Sequence, residues 1–397
     1  MDERFEALAK LAVHGANVQR GQILAVGAYV GQEELARAVA AAAYRQGALF
    51  VDVAYFDPFL KRARIENADP DTLEYVPPWL PARLLALAER GDARMAFSGL
   101  VAPHALDGVD PALLGRDQLP RLRESGQVVG ERSTNWTIVP CPHPEWAALV
   151  FPELDEHAAY ERLWEQIWHV LRLDEDDPVA VWKERMAVLK RSADAMTQRQ
   201  FDSIELRGPS TELTVGLLRT GLWQAGEFTT RTGLRHMPNL PTEEVFTTPD
   251  PLRVEGHVTA TKPLALEGGV IVRGLRVRFE GGRVVEVDAD ENAEAFRVKA
   301  ALDEGAGRLG ELALVDGQGR IGPLGTVFYD TLLDENAASH IALGHGFPFA
   351  VGEEDLPRVN ESRTHVDFMI GSPELEVTGV TATGERVPVL RAGDWQI

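Results

Sequence analysis

The sequence predicts an α/β protein: an N-terminal α/β domain built on a parallel sheet, followed by a C-terminal mixed α/β catalytic domain. Three observations lead there. Short apolar runs alternate with amphipathic helical segments over the first half of the chain. Beyond residue 200 the pattern changes to period-two strands with tight turns, and every residue singled out below as a metal ligand lies in that second half. Strands buried on both faces read as continuous apolar runs, whereas half-exposed strands alternate.

Phe5, Leu8 and Leu11 recur at helical spacing and lead to the apolar run Ile23-Leu24-Ala25-Val26, with Gly21 and Gly27 on either side of the expected strand. A helix through Glu33, Leu35, Ala36, Val39 and Ala40 precedes a strand at 49–53. The alternation continues with a helix at 80–90 and strands at 93–97 and 136–139. This is a βαβ rhythm covered by helices, but it lacks a G-x-G-x-x-G or Walker-type loop and so implies no nucleotide.

Leu163, Trp164, Ile167, Trp168 and Leu171 mark one helix, and Trp182, Met186 and Leu189 mark a second; both stripes read as core. Asp174-Glu175-Asp176-Asp177-Pro178 between them reads as a solvated turn and helix cap. Next, strands at 203–206 and 212–215 flank Gly208-Pro209-Ser210, and strands at 275–279 and 284–287 flank Glu280-Gly281-Gly282-Arg283. Both arrangements are hairpin signals. A boundary near residue 195 divides the chain into domains 1–195 and 196–397.

With 45% hydrophobic and 7% aromatic residues in 397, ordinary cores can be filled. A net charge of -21 repels phosphate backbones and anionic lipids, so neither nucleic acid nor membrane is an expected partner. The lone Cys141, between Pro140 and Pro142, excludes an internal disulfide or a thiolate metal cluster, and nothing marks a base to activate it. The start, Met1-Asp2-Glu3-Arg4-Phe5, has no apolar signal region, and no window approaches about 18 apolar residues. A cytoplasmic protein is expected.

The chemistry concentrates in His365-Val366-Asp367, followed by Phe368-Met369-Ile370-Gly371. On an extended strand side chains alternate faces, so the imidazole and the carboxylate point the same way. Upstream stand Glu243-Glu244, then Glu311, then Glu335 and His340. Mixed carboxylate and imidazole sets suit borderline divalent metals, and surplus carboxylate suits two ions, because a bridging carboxylate offsets the repulsion between them. Each residue also has a plain structural role open to it. Glu243 reads as a hydrogen-bonding or surface neighbour, and Glu311 as a charge opening the apolar strand 312–315. Glu335 suits the positive end of a helix begun at Asp334, and His340 a core position on an apolar helix with Ile341 and Leu343.

Four motifs resemble the M29 family of metallopeptidases: Asn239-Leu240-Pro241-Thr242-Glu243-Glu244-Val245-Phe246-Thr247, Arg308-Leu309-Gly310-Glu311, the stretch from Tyr329 to Gly344 that holds Asp334-Glu335-Asn336 and Ser339-His340, and His365-Val366-Asp367-Phe368-Met369. Asn135 to Pro140 and Thr211 to Leu217 extend the likeness over nearly the whole chain. The resemblance implies an aminopeptidase acting on peptides with a free N-terminus, two divalent ions (zinc or cobalt, with manganese or magnesium as further candidates), and a homodimer. It maps metal-site residues onto Glu244, Glu311, Glu335, His340, His365 and Asp367, with Glu311 as the bridging or basic glutamate. The chemistry agrees: a metal-bound water is acidified and an adjacent carboxylate takes its remaining proton.

One position departs from the family pattern. Seven residues after His340, where the family has a tyrosine thought to assist catalysis, stands Phe347. Loss of one oxyanion donor typically lowers the rate by about 10² to 10³. His345, two residues earlier, is a candidate replacement donor. The alternative reading is a catalytically weakened protein that still binds metal and peptide.

Overall fold

The computed structural model describes residues 2–117, 119–120, 122–266 and 270–397. The chain forms two compact units, one comprising the residues up to Trp182 with Glu227–Pro241, the other Lys183–Gly226 with Thr242–Ile397.

The first unit is built on a four-stranded parallel sheet in the order Phe50–Phe56, Ile23–Tyr29, Ala93–Ser98, Asn135–Pro140. The expected βαβ rhythm is present. The first strand runs on to Tyr29, so Gly27 lies within it rather than at its end. Alternation along that strand buries Leu24, Val26 and Ala28, each of which stabilises the fold by shedding apolar surface from water. Helix Glu3–Gly15 starts where the Asp2 side chain accepts from the Arg4 amide, and it buries Phe5, Leu8, Leu11 and Ala12. Helix Glu33–Gln46 ends at Gly47, whose φ of +101° is costly for a residue carrying Cβ. Trp164, on helix Glu156–Val170, packs edge-on against Phe5 with ring centroids 4.9 Å apart. Asp177 accepts from the Ala180 amide at the start of helix Pro178–Arg199, the cap expected there. Cys141 is buried, and burial pushes its thiol pKa up, away from nucleophilic use.

Among the described residues the second unit holds two larger antiparallel sheets and a two-stranded one, Leu264–Ala265 with Ile271–Val272. An eight-stranded sheet contains both expected hairpins, Ser203–Gly208 with Thr211–Leu217 and Arg276–Glu280 with Arg283–Asp288. A five-stranded sheet runs in the order His365–Met369, His340–Gly344, Leu309–Val315, Glu244–Thr247, Gln224–Ala225. The strand Glu244–Thr247 leads directly into Pro249–Thr259 of the larger sheet. Among the described residues, no helix is long and apolar enough to cross a membrane.

Two local expectations are corrected. His340 lies on a strand, not on a helix: His340–Gly344 is hydrogen-bonded on one side to Leu309–Val315 and on the other to His365–Met369, and all five of its residues are buried. A short apolar run fits either element by period, and the two flanking strands decide it. Glu335 ends helix Thr331–Glu335 instead of opening it. A carboxylate there gains nothing from the helix dipole, so the dipole does not account for its position.

Candidate metal centre

The five-stranded sheet brings five of the six candidate ligands together, and Glu335 stands on helix Thr331–Glu335. Glu244, Glu311 and His340 occupy three adjacent strands, and His365 and Asp367 both lie on the fourth. The register pairs Phe246 with Ala313, Ala313 with His340, His340 with Met369, Ala342 with both Glu311 and Asp367, and Gly344 with His365. Paired residues share a face and the face alternates along each strand, so all five candidates project from one side of the sheet. Ala313, Ala342 and Gly344 share that side, and their small size leaves space between the longer side chains.

A bulge aims Glu311. The register shifts between Leu309 and Glu311, leaving Gly310 as the extra residue. A Cβ on Gly310 would stand 2.4 Å from the carbonyl oxygens of both Gly344 and His345, so only glycine fits.

Both imidazoles present the same nitrogen to the cluster. Nδ1 of His365 lies 2.8 Å from the His345 carbonyl, and Nδ1 of His340 lies 3.2 Å from the Ala338 carbonyl. A carbonyl only accepts, so in each ring Nδ1 carries the proton and Nε2 faces the carboxylates. Nε2 of His340 is 3.2 Å from Glu244 Oε2; Nε2 of His365 is 3.1 Å from Glu311 Oε2 and 3.2 Å from Asp367 Oδ1. Orientation of a ligating histidine by a carbonyl on its other nitrogen is the usual support in metal sites.

The electrostatics among the side chains are those of crowded negative charge. Burial pushes the Glu311 carboxyl up to about 7; the His365 hydrogen bond opposes the shift, and the nearby charges of Asp367 and Glu244 add to it. Glu335 rises well above the usual carboxylate range, through burial first and then the charges of Glu244 and Asp367. Burial works against a charged His340, but the hydrogen bond and charge of Glu244 outweigh it and lift the imidazole to about 10. His365 is raised likewise, burial being outweighed by Asp367 and Glu311. Burial also opposes ionisation of Asp367, yet His365 holds its pKa below the ordinary value. Desolvated like charges are expensive unless a cation offsets them.

The donor set fits a divalent ion. Ligand atoms of Glu244, Glu311 and His340 lie within 4.8 Å of one another, and so do those of Glu311, His365 and Asp367. Among the described residues Asp367 Oδ1 is buried without a hydrogen-bond partner, its approach to His365 falling outside hydrogen-bond geometry. Glu335 acts electrostatically on the cluster from its helix but belongs to neither close set. Phe347, the departure from the family pattern, sets its ring 5.3 Å from that of His365, centroid to centroid. The half-buried His345 reaches the centre through its carbonyl; its imidazole pKa is lowered by burial and by the charge of His365. The sequence could not reveal the Ala338 and His345 carbonyls, because any residue supplies one.

A sheet face carrying buried carboxylates and two like-oriented imidazoles suits a metal-dependent enzyme, and the comparisons place it among the hydrolases. The chain belongs to the M29 family: the family model described as thermophilic metalloprotease (M29) matches residues 1–395. Aminopeptidase T of Thermus aquaticus is 43% identical over 405 residues, covering 100% of this chain and 99% of that protein. Aminopeptidase 2 of Geobacillus stearothermophilus is 37% identical over 410 residues, covering 99% and 98%. The solved structure of wild-type AmpT from Thermus thermophilus superposes with a TM-score of 0.91 at 42% identity, covering 100% of this chain and 99% of that one. The protein is thus a metallo-aminopeptidase.

Proposed function

We propose that the centre holds two divalent ions sharing Glu311, and that the protein releases N-terminal residues from peptides. The carrying observation is the overlap of two three-residue ligand sets in Glu311 alone. Charge supports it: Glu244, Glu311, Glu335 and Asp367 offer four negative charges, which two divalent ions neutralise while both histidines stay neutral. We assign Glu335 as the remaining carboxylate ligand. Nitrogen and oxygen donors without thiolate favour zinc or cobalt, with manganese or magnesium as weaker fits.

Bound there, the ions would acidify water and polarise the scissile carbonyl. The chain supplies the rest. The Ala338 and His345 carbonyls fix both imidazoles, so no reorientation is needed during reaction. Glu311 is our assigned proton acceptor, a carboxylate that belongs to both ligand sets and so stands beside water held at either. The free α-amine of a peptide would bind at an ion or a nearby carboxylate, which would confine cleavage to the first residue. Catalysis is assigned to residues 196–397. We take the chain as a cytoplasmic homodimer; its single buried cysteine suits a reducing compartment, and the family likeness supports the dimer.

Leucine p-nitroanilide with added Zn²⁺ or Co²⁺ tests the proposal. Turnover should vanish with chelator, return with metal, and be absent on the N-acetylated analogue. Equal cleavage of the acetylated substrate would leave a general amidase. Phe347 favours one second reading, a weakened enzyme that retains metal and peptide, and binding without turnover would select it.

A further inference from the structure

Beside the donor cluster lies a buried ionic network that the reaction does not use. Glu243 immediately precedes Glu244, and Asp316 immediately follows Val315; Glu244 and Val315 are paired across the ladder, so the two outer carboxylates stand at the same end of it. Like charges placed so repel. Arg185, on helix Pro178–Arg199, joins them: its Nε lies 2.5 Å from Glu243 Oε2, and its terminal nitrogens lie 3.0 and 2.7 Å from the two Asp316 oxygens. Side-chain exposures are 6% for Arg185 and 0% for both carboxylates. Asp316 also accepts from the Trp395 indole at 2.8 Å and the Gln318 amide at 2.9 Å.

The network reaches a third element. The Glu243 amide donates to Asn336 Oδ1 at 2.6 Å, and Asn336 directly follows Glu335 and donates to the Leu332 carbonyl at 2.9 Å. The strand of Glu244, the strand of Glu311 and the helix of Glu335 are therefore tied together within one or two residues of their donors or at the strand end.

We propose that Arg185, Glu243 and Asp316 are positioning residues that hold the Glu244, Glu311 and Glu335 donors at the spacing a divalent ion requires. The bidentate fork of arginine spans both carboxylates at once, which a lysine ammonium cannot do in the same way. Interactions that orient ligands typically set metal affinity by about 10- to 100-fold. This inference rests on the metal reading above.

The test uses the full-length chain freed of metal by chelator and titrated with Co²⁺, read by calorimetry and by the visible absorption of the bound ion. Glu243→Gln and Arg185→Lys should each weaken Co²⁺ binding by about tenfold or more and alter the cobalt spectrum. KM at saturating metal should change less than the metal Kd. Variants that fold and bind Co²⁺ within twofold of the parent, with an unaltered spectrum, would overturn the proposal. If either fails to fold, Trp395→Phe removes only the indole donor to Asp316 and should still weaken binding several-fold; an unchanged Kd there counts against it equally. Absence of Co²⁺ binding in the parent chain would instead defeat the metal reading itself.

Discussion

The ring of Phe347 rests 5.3 Å from the imidazole of His365 and stacks on Phe349 at 5.3 Å. A position where the family pattern has a phenol thus carries an apolar ring against a candidate ligand. Phe347→Tyr is expected to raise kcat by about tenfold or more, because one oxyanion donor is worth about 10² to 10³ in rate. His345→Ala keeps the carbonyl that holds His365, so it isolates the imidazole; turnover should fall about tenfold if that imidazole serves as the donor, and recover in the double variant. Initial rates of the three variants decide, and an unchanged rate for His345→Ala would remove that residue from the chemistry.

Gly310→Ala tests the bulge. The added methyl would meet the His345 carbonyl, which orients His365, so the ring would lose its support. Loss of metal affinity by about 10- to 100-fold is expected, with the far-UV circular dichroism retained. Undiminished metal binding would show that the bulge is incidental.

Metal removal should destabilise the second unit. An ion that binds only the folded state adds about 4 kcal/mol at a thousandfold excess over its Kd, and stripping it also leaves crowded carboxylates behind. Chelator is therefore expected to lower the melting temperature by several degrees, reversibly on adding Zn²⁺. Identical melting curves with and without chelator would exclude a folded-state metal site.

His236 gives the first unit an acid limb. It is 4% exposed beside Trp136 and Phe228, and burial depresses its pKa from 6.5 to about 4. Between those values the unfolded chain takes up a proton that the folded chain refuses, so stability is full above pH 6.5 and falls on the way to pH 4. The loss is on the order of 3 kcal/mol. His236→Phe should flatten that slope in urea unfolding at pH 7 and pH 5, and a slope equal to the parent's would contradict it.

Much of this was legible in the residues. The βαβ alternation and both hairpins follow from apolar periodicity and turn glycines, and the His365–Asp367 pairing follows from strand alternation alone. His340 was not legible as a strand residue, because five buried positions carry no period and only the flanking strands choose. Glu243 read as a hydrogen-bonding or surface neighbour, and it is the hydrogen-bonding one; its partner Arg185 lies 58 residues away, a separation that local pattern does not span. The orienting carbonyls of Ala338 and His345 belong to backbone and leave no trace in residue type.

The order of the ligands along the chain bears on biosynthesis. Glu244 is the first of the candidate ligands to be made, three strands of the larger sheet follow it between residues 249 and 288, and His365 and Asp367 come last of the set. A nascent polypeptide therefore carries an incomplete claw until the strand His365–Met369 has been made, and full ion loading is expected to wait for that strand. A chain ended at residue 360 should take up no Co²⁺ in an equilibrium dialysis experiment; uptake matching the full chain would show that the outermost strand is dispensable.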